Sequence, residues 1–281
     1  IGAYATQKLM IDLSINPWLG MLIGGLIATV YGLFIGVLSI RYDIRGHYFA
    51  LITLAFAELL RLAVKNISEL NGSLGYYRPF PGSYADGPGI VAFQFNSDLP
   101  YYFVILAFLA IVTALSLWLR YSRYGLYMFA IRSDADAAAS AGIPVTKFRL
   151  VSICLSTFFT AWAGAYWSMY FSTIEPSTVF GIMRNVEIFL PAIVGGIGTI
   201  FGPVVGALLV IPLGEFARSS FDSIHGLHQG IYGLILIGIG IYNPGGVVKL
   251  PGRLRDFVVD GRGDPRPDGD ERTIEGGDGD D

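Results

Sequence analysis

The chain has 281 residues, 53% of them hydrophobic, and a mean hydropathy of +0.56. That is too apolar for a water-soluble globular domain of this length, so the composition selects a polytopic membrane protein. The net charge of −3 is unevenly spread: residues 260–281 hold nine acids and three arginines, which leaves 16 basic against 13 acidic residues in the body. A membrane domain over residues 1–250 and an acidic, solvated, disordered tail over 251–281 are therefore expected.

Residues 1–13 carry Gln7, Lys8 and Asp12 and read as the end of a helix reaching the outer face of the membrane, before a turn at Asn16-Pro17. Trp18–Ile40 is long enough to cross about 30 Å of hydrocarbon at about 1.5 Å per residue. It ends at Arg41 and Arg45. Gly46–Val64 goes back out and contains His47, Glu58 and Arg61. Glu58 and Arg61 lie at i and i+3, where they can pair on one helix face. Ionisable groups at membrane depth serve either as an internal ion pair or as lining for a solute path, and both readings stay open here. His47 sits near the end of its helix and reads as interfacial. Residues 65–99 are rich in Gly, Pro, Ser, Asn and Tyr and predict an external loop large enough to meet an extracellular partner. The Asn-X-Ser triplets at 66–68 and 71–73 are too short a signal to carry a function.

Pro100–Leu119 crosses inward to a polar, Ala-rich island, Tyr121–Leu150. Arg120, Arg123, Arg132, Lys147 and Arg149 lie in or beside the island, and basic residues flanking spans mark the cytoplasmic side. Inside it, Ser133–Ser140 predicts one short helix, with Ser133, Asp134 and Asp136 suited to its N-terminus. Gly142 ends that helix and Pro144 opposes a restart. Val151–Phe171 then crosses outward to a turn at Glu175-Pro176.

Glu187–Gly198 is too short to span the bilayer alone, since twelve residues make about 18 Å of helix. Either it continues into the next run, or the glycines at Gly195, Gly196 and Gly198 break it. A single crossing would put Lys249, Arg253 and Arg255 outside, so the charge distribution favours a hairpin: a short inward segment headed by Glu187, a glycine turn, and an outward helix from Pro203 to Phe216. A short segment is tolerable where it is buried in protein or lines a cavity. His228–Tyr242 makes the last inward crossing and Asn243-Pro244-Gly245-Gly246 stops it.

Thirty-six glycines suit close helix packing, and GxxxG spacings occur at Gly20/Gly24, Gly32/Gly36 and Gly202/Gly206, although each spacing alone also arises by chance. Cys154 is the single cysteine and stands in an apolar run, so it reads as a packing residue. No GxxxxGK[ST] loop is present, and the glycines at 196–202 have the wrong spacing for a dinucleotide turn. Three scattered histidines and one cysteine give no metal cluster, and no Ser/His/Asp set stands out. The sequence therefore predicts no catalytic residues, no metal site and no bound cofactor.

The run Ala130-Ile131-Arg132, with Asp134, Ala137-Ala138 and Gly142-Ile143, resembles the coupling loop of the membrane subunits of ABC importers. Gly46–Arg61 (GHYFALITLAFAELLR), Gly164–Pro176 (GAYWSMYFSTIEP) and Val186–Ala207 (VEIFLPAIVGGIGTIFGPVVGA) follow the same order in the branched-chain amino acid permease family of the LivM type. The sequence departs from that pattern at Ala135, where a second carboxylate is common, and at Leu126 and Phe129, where arginines are common. The resemblance covers about residues 1–245 and implies an all-α polytopic bundle with a short glycine-broken hairpin. It also implies earlier membrane helices preceding Ile1-Gly2-Ala3-Tyr4, and a multi-pass subunit of the plasma membrane. By the same resemblance the subunit pairs with a LivH-like second permease, two ABC ATPases that hold ATP and Mg, and an extracytoplasmic binding protein, with no nucleic acid involved. The cargo implied is a branched-chain or other small amino acid; urea or a sugar is the alternative. Arg132, Asp134, Ala137, Ala138 and Gly142 are then the coupling set, Glu58, Arg61 and Glu187 the polar pathway set, and Gly195, Gly196 and Gly198 the hinge. An ion-coupled secondary transporter would predict an internal inverted repeat, which the sequence lacks. A membrane scaffold would not need the polar island.

Overall fold

The computed structural model describes residues 1–44, 46–77, 93–95, 97–220 and 233. The expectations for Arg45, for the middle of the external loop, for the crossing at His228–Tyr242 with its glycine stop, for the basic residues at 249–255 and for the tail at 251–281 lie outside the described residues. Within them the protein is helical apart from one two-residue pairing, β1 (Tyr76–Tyr77) against β2 (Thr173–Ile174), antiparallel. The chain forms two compact units, Ile1–Phe189 and Leu190–Asp281.

The first unit is built around three helices, α1 (Gly2–Leu13), α2 (Pro17–Arg41) and α7 (Val145–Phe171), which pack most heavily on one another. Asn16 caps α2 by accepting the Trp18 amide at 3.0 Å, and Pro17 fits the first helical position because its missing N–H would have no partner there. Glycines then make two seams on α2. Gly20 and Gly24 face α1: a methyl group at Gly20 would stand 3.1 Å from Thr6 Cγ2, and one at Gly24 3.2 Å from Thr6 Oγ1. Gly25, Gly32 and Gly36, spaced at i, i+7 and i+11, face α7, where added methyl groups would meet Phe158 at 2.8 Å, the Thr157 side chain, and Ile153 at 2.8 Å. All three chance-prone GxxxG spacings thus mark contacts; the third belongs to the second unit. Lipid tails are as apolar as leucine, so backbone approach and dispersion contact hold such helices together.

A helix does end within residues 1–13, at Leu13, and it is a packed core helix. α1 is wedged between α2 and α7, with Thr6 and Gln7 fully buried. Its modest apolarity reflects polar residues turned inward: Gln7 Nε2 donates to the Ser168 carbonyl at 3.0 Å, while Thr6 Oγ1 and Gln7 Oε1 have no hydrogen-bond partner among the described residues.

α3 (His47–Asn66) and α4 (Asp98–Tyr121) flank this core and turn most of their apolar surface away from the chain. Tyr31 of α2 donates its hydroxyl to the Phe56 carbonyl of α3 at 2.9 Å, and Tyr166 of α7 donates to the Tyr101 carbonyl of α4 at 2.9 Å. Two aromatic clusters order one end of the unit. Phe93 is fully buried among Met21, Tyr101, Ala165 and Met169, and Tyr4 packs against Tyr76 and Phe180 beside the fully buried Ile174. The described parts of the 65–99 loop are thus tied down rather than merely polar.

Four runs, α2, α3, α4 and α7, are long and apolar enough to cross a membrane, and Pro176–Gly195 is a fifth. That last run is divided into α8 (Pro176–Val179) and α9 (Ile182–Gly195). The short segment expected from Glu187 therefore begins earlier, at Ile182, and Gly195 rather than Gly198 closes it.

Candidate coupling and translocation elements

The polar island is mostly helical, and more finely divided than the sequence suggested. α4 breaks at Ser122, whose hydroxyl accepts the Gly125 amide at 3.4 Å and so starts α5 (Arg123–Ser133). Gly125 is required by a close approach, because a methyl group there would stand 2.6 Å from the Arg120 carbonyl. The expected single helix Ser133–Ser140 is corrected to α6 (Ala135–Ser140) alone. Ser133 ends α5, its hydroxyl donating to the Phe129 carbonyl at 3.2 Å, and the cap is Asp134. Asp134 is extended (φ −155°, ψ 112°), and its Oδ1 accepts both the Asp136 amide at 2.9 Å and the Ala137 amide at 3.0 Å. Those two donors, Ala137 first, hold the carboxyl below its ordinary value of 3.8. Gly142 at φ +82° follows the end of α6, a conformation that disfavours any side chain. Pro144 does not keep the chain from becoming helical: α7 starts at Val145, directly after it, six residues before the expected Val151. Proline opposes helix at the position before it, not after.

Of the coupling set, Arg132, Asp134, Ala137 and Gly142 are exposed. Ala138 is not: it is 5% exposed and faces its own chain, and the Ile143 amide donates to its carbonyl at 3.1 Å. Among the five coupling residues Ala138 is therefore the one turned away from any partner surface. The island is anchored by residues the sequence reading passed over. Phe148, on the first turn of α7, is 7% exposed and packs at a tilt against Tyr124 and Tyr127 of α5, with ring centroids 5.8 and 5.3 Å apart. The i, i+3 spacing of the two tyrosines was the available signal.

Glu58 and Arg61 form the expected pair on α3. Arg61 Nε donates to Glu58 Oε2 at 2.8 Å and Arg61 Nη2 to Glu58 Oε1, a two-point contact on half-buried side chains. Glu187 of α9 pairs with Arg184 at 2.7 Å, and the Arg184 guanidinium lies 5.6 Å from the centre of the Trp167 ring. The structure does not bring the two pairs together; each stays on its own helix. His47 is exposed at the first turn of α3.

In the second unit, the end of α9 and α10 (Gly202–Ser220) form the hairpin. Gly196 (φ +120°) and Gly198 (φ +85°) make the turn, with Thr199 Oγ1 donating to the Gly196 carbonyl at 2.9 Å. A methyl group at Gly195 would overlap the Gly202 carbonyl, and one at Gly206 would overlap the Pro191 carbonyl and stand 2.8 Å from the Gly195 amide. These obstacles are backbone atoms, so only glycine fits there. Among the described residues no group of three or more metal-ligating side chains occurs.

Apolar helices packed through glycine, an ordered polar segment between two of them, and a glycine-turned hairpin define a polytopic α-helical membrane protein. Residues 1–240 match the family described as the permease component of the branched-chain amino acid transport system, and the chain belongs to that family. It is 24% identical over 268 residues to the high-affinity branched-chain amino acid transport system permease protein LivM of Salmonella typhimurium, an alignment covering 89% of this chain and 61% of the relative. It is 27% identical over 147 residues to the Escherichia coli permease protein LivH, covering 52% of this chain and 46% of the relative. A xylose transport system permease protein, XylH of Haemophilus influenzae, is 31% identical over 122 residues, covering 41% of this chain and 31% of the relative. The chain thus spans 61% of the length of the LivM relatives it matches. No solved structure matches it.

Proposed function

We propose that this chain is one membrane subunit of an ATP-driven importer for leucine, isoleucine, valine or a related small amino acid. The observation that carries the reading is the family match over residues 1–240, reinforced by similarity to LivM proteins over 89% of the chain. A LivH-like permease would complete the translocation path, two ABC ATPases would bind ATP and Mg and hydrolyse the nucleotide, and an extracytoplasmic protein would deliver solute. The basic residues flanking the island support an assignment of residues 121–149 to the ATPase side.

α6 is the coupling element. It is short, capped by Asp134, and its exposed Ala137, with Ala141 at its C-cap, leaves a small surface that suits a groove on a protein better than a lipid surface. Arg132 and Gly142 flank it. Motion of an ATPase would pass from α6 into α5 and from α5 to α7 through Phe148, which packs on Tyr124 and Tyr127. Glu58, Arg61 and Glu187 supply polarity along the path, and Gly195, Gly196 and Gly198 let the hairpin rearrange.

Reconstitution with the ATPases and the binding protein tests this. Leucine uptake and stimulated ATP hydrolysis should both require the ATPases. Ala137→Glu should lower both about tenfold, equivalent to ~1.4 kcal/mol of docking, while membrane insertion and the binding protein's affinity for leucine stay unchanged. Gly196→Val should lower uptake at normal expression. Uptake that follows an ion gradient and persists without any ATPase would overturn the reading. Uptake of xylose in place of leucine would keep the machine and change the cargo.

A further inference from the structure

The α2–α7 side of the first unit carries an open groove of about 620 Å³, lined by Leu33, Pro144, Lys147, Leu150, Cys154 and Leu155 among others. From Pro144 to Leu155 it follows α7 for about 16 Å, close to half of a hydrocarbon core of about 30 Å. One charged residue, Lys147, lines it, at the end where the apolar run of α7 stops. Lys147 is exposed and makes no ion pair among the described residues. Arg149 lies two positions on, and Arg41 ends α2, whose Gly36 meets Leu150 and Ile153. The lining of the groove is thus apolar, and Lys147 sets one exposed cation at its Pro144 end.

We propose that this groove binds an anionic phospholipid, one acyl chain lying along Leu150, Cys154 and Leu155 and the phosphate resting on Lys147. The occupant follows from three features. The groove is about one leaflet long, its apolar part lies at acyl depth, and its single cation stands where headgroups begin. A neutral lipid would fill the floor but leave the cation unmatched. A helix from another subunit, about 10 Å across, would have to bring its own carboxylate to Lys147, and protection by added partner subunits would report it. Because the groove starts at Pro144, between α6 and α7, the lipid braces the joint on which the island turns. This site is independent of which solute is carried.

Cys154 lines the groove and is the single cysteine of the chain, so it reports occupancy directly. The protein is placed in phosphatidylcholine vesicles with increasing phosphatidylglycerol, and alkylation of Cys154 by a membrane-permeant maleimide is timed. The rate should fall about tenfold once phosphatidylglycerol is about ten times its apparent Kd. Lys147→Gln should raise the half-protecting mole fraction about fivefold, the effect of one lysine at an anionic surface, and Lys147→Arg should not. Equal protection in pure phosphatidylcholine would overturn the proposal, leaving a bare apolar groove. So would protection that follows added partner subunits at fixed lipid, or protection by inorganic phosphate alone. Lys147 is exposed, so its replacements leave the packed core intact.

Discussion

α2 and α4 are both long, strongly apolar helices, yet a third of the apolar stretch of α2 is buried in the chain and none of that of α4 is. Hydropathy cannot produce this difference, since both helices are equally content in lipid. The contrast lies in side-chain size: α2 carries five glycines in two seams, whereas α4 has none and presents Leu106, Leu109, Ile111 and Trp118 outward. In a membrane, the helix that becomes central is the one whose backbone neighbours can approach, not the most apolar one.

The sharpest way to break this comparison is to put the same side chain on both helices. Gly32→Leu drives a branched side chain into Thr157 and should cost about 1–3 kcal/mol by overpacking, seen as a lower thermal midpoint of the purified protein. Ala110→Leu, on the exposed face of α4, should stay within about 0.5 kcal/mol. Equal effects would mean that the seam is not what centres α2.

A smaller effect is expected inside the core. Gln7→Leu removes one hydrogen bond to Ser168 but also removes the unpartnered Oε1, and the Ser168 carbonyl keeps the Ser172 amide. The two terms oppose, so the thermal midpoint should move by the equivalent of less than about 1 kcal/mol. A much larger loss would show that Gln7 Oε1 has a partner in the assembled membrane complex.

The smallest expected change is confined to the exposed island. The Asp134 carboxyl is held below its ordinary value in the folded chain, so its cap is fully present above about pH 5 and is lost as pH falls through the depressed value. Hydrogen exchange at the Asp136 and Ala137 amides, corrected for intrinsic rates, should therefore quicken in α6 on acidification while α2 and α7 stay protected. Asp134→Asn keeps an acceptor at the cap and should remove that pH dependence; persistence of the dependence would assign it to another group.

Much of this was legible in the sequence because spans, flanking charges and turns are local. Asn16-Pro17 starts a helix wherever it stands, Gly142 ends one, and Glu58 with Arg61 pair within one turn. The island was read less well, since Ser133 and Asp134 are both good caps and only packing chose between them. Phe148 holds α5 through Tyr124 and Tyr127, which leaves Ser133 as the last residue of one helix and Asp134 as the cap of the next. The inward facing of Ala138 was not legible for a related reason: an alanine-rich helix of six residues has no hydropathy contrast to say which alanine faces inward.

By itself the sequence determined the membrane class, the approximate spans and the glycine turn of the hairpin, because each follows from composition or from short-range backbone chemistry; the family came from the resemblance of its motifs. The tertiary structure alone decided that Gly2–Leu13 is a core helix with buried Thr6 and Gln7, that the glycines of α2 divide between α1 and α7, and that Ala138 faces inward. Those outcomes depend on which helix face meets which neighbour, and contacts between residues far apart in the chain, such as Gln7 with Ser168 and Gly32 with Thr157, leave no local trace in the order of amino acids.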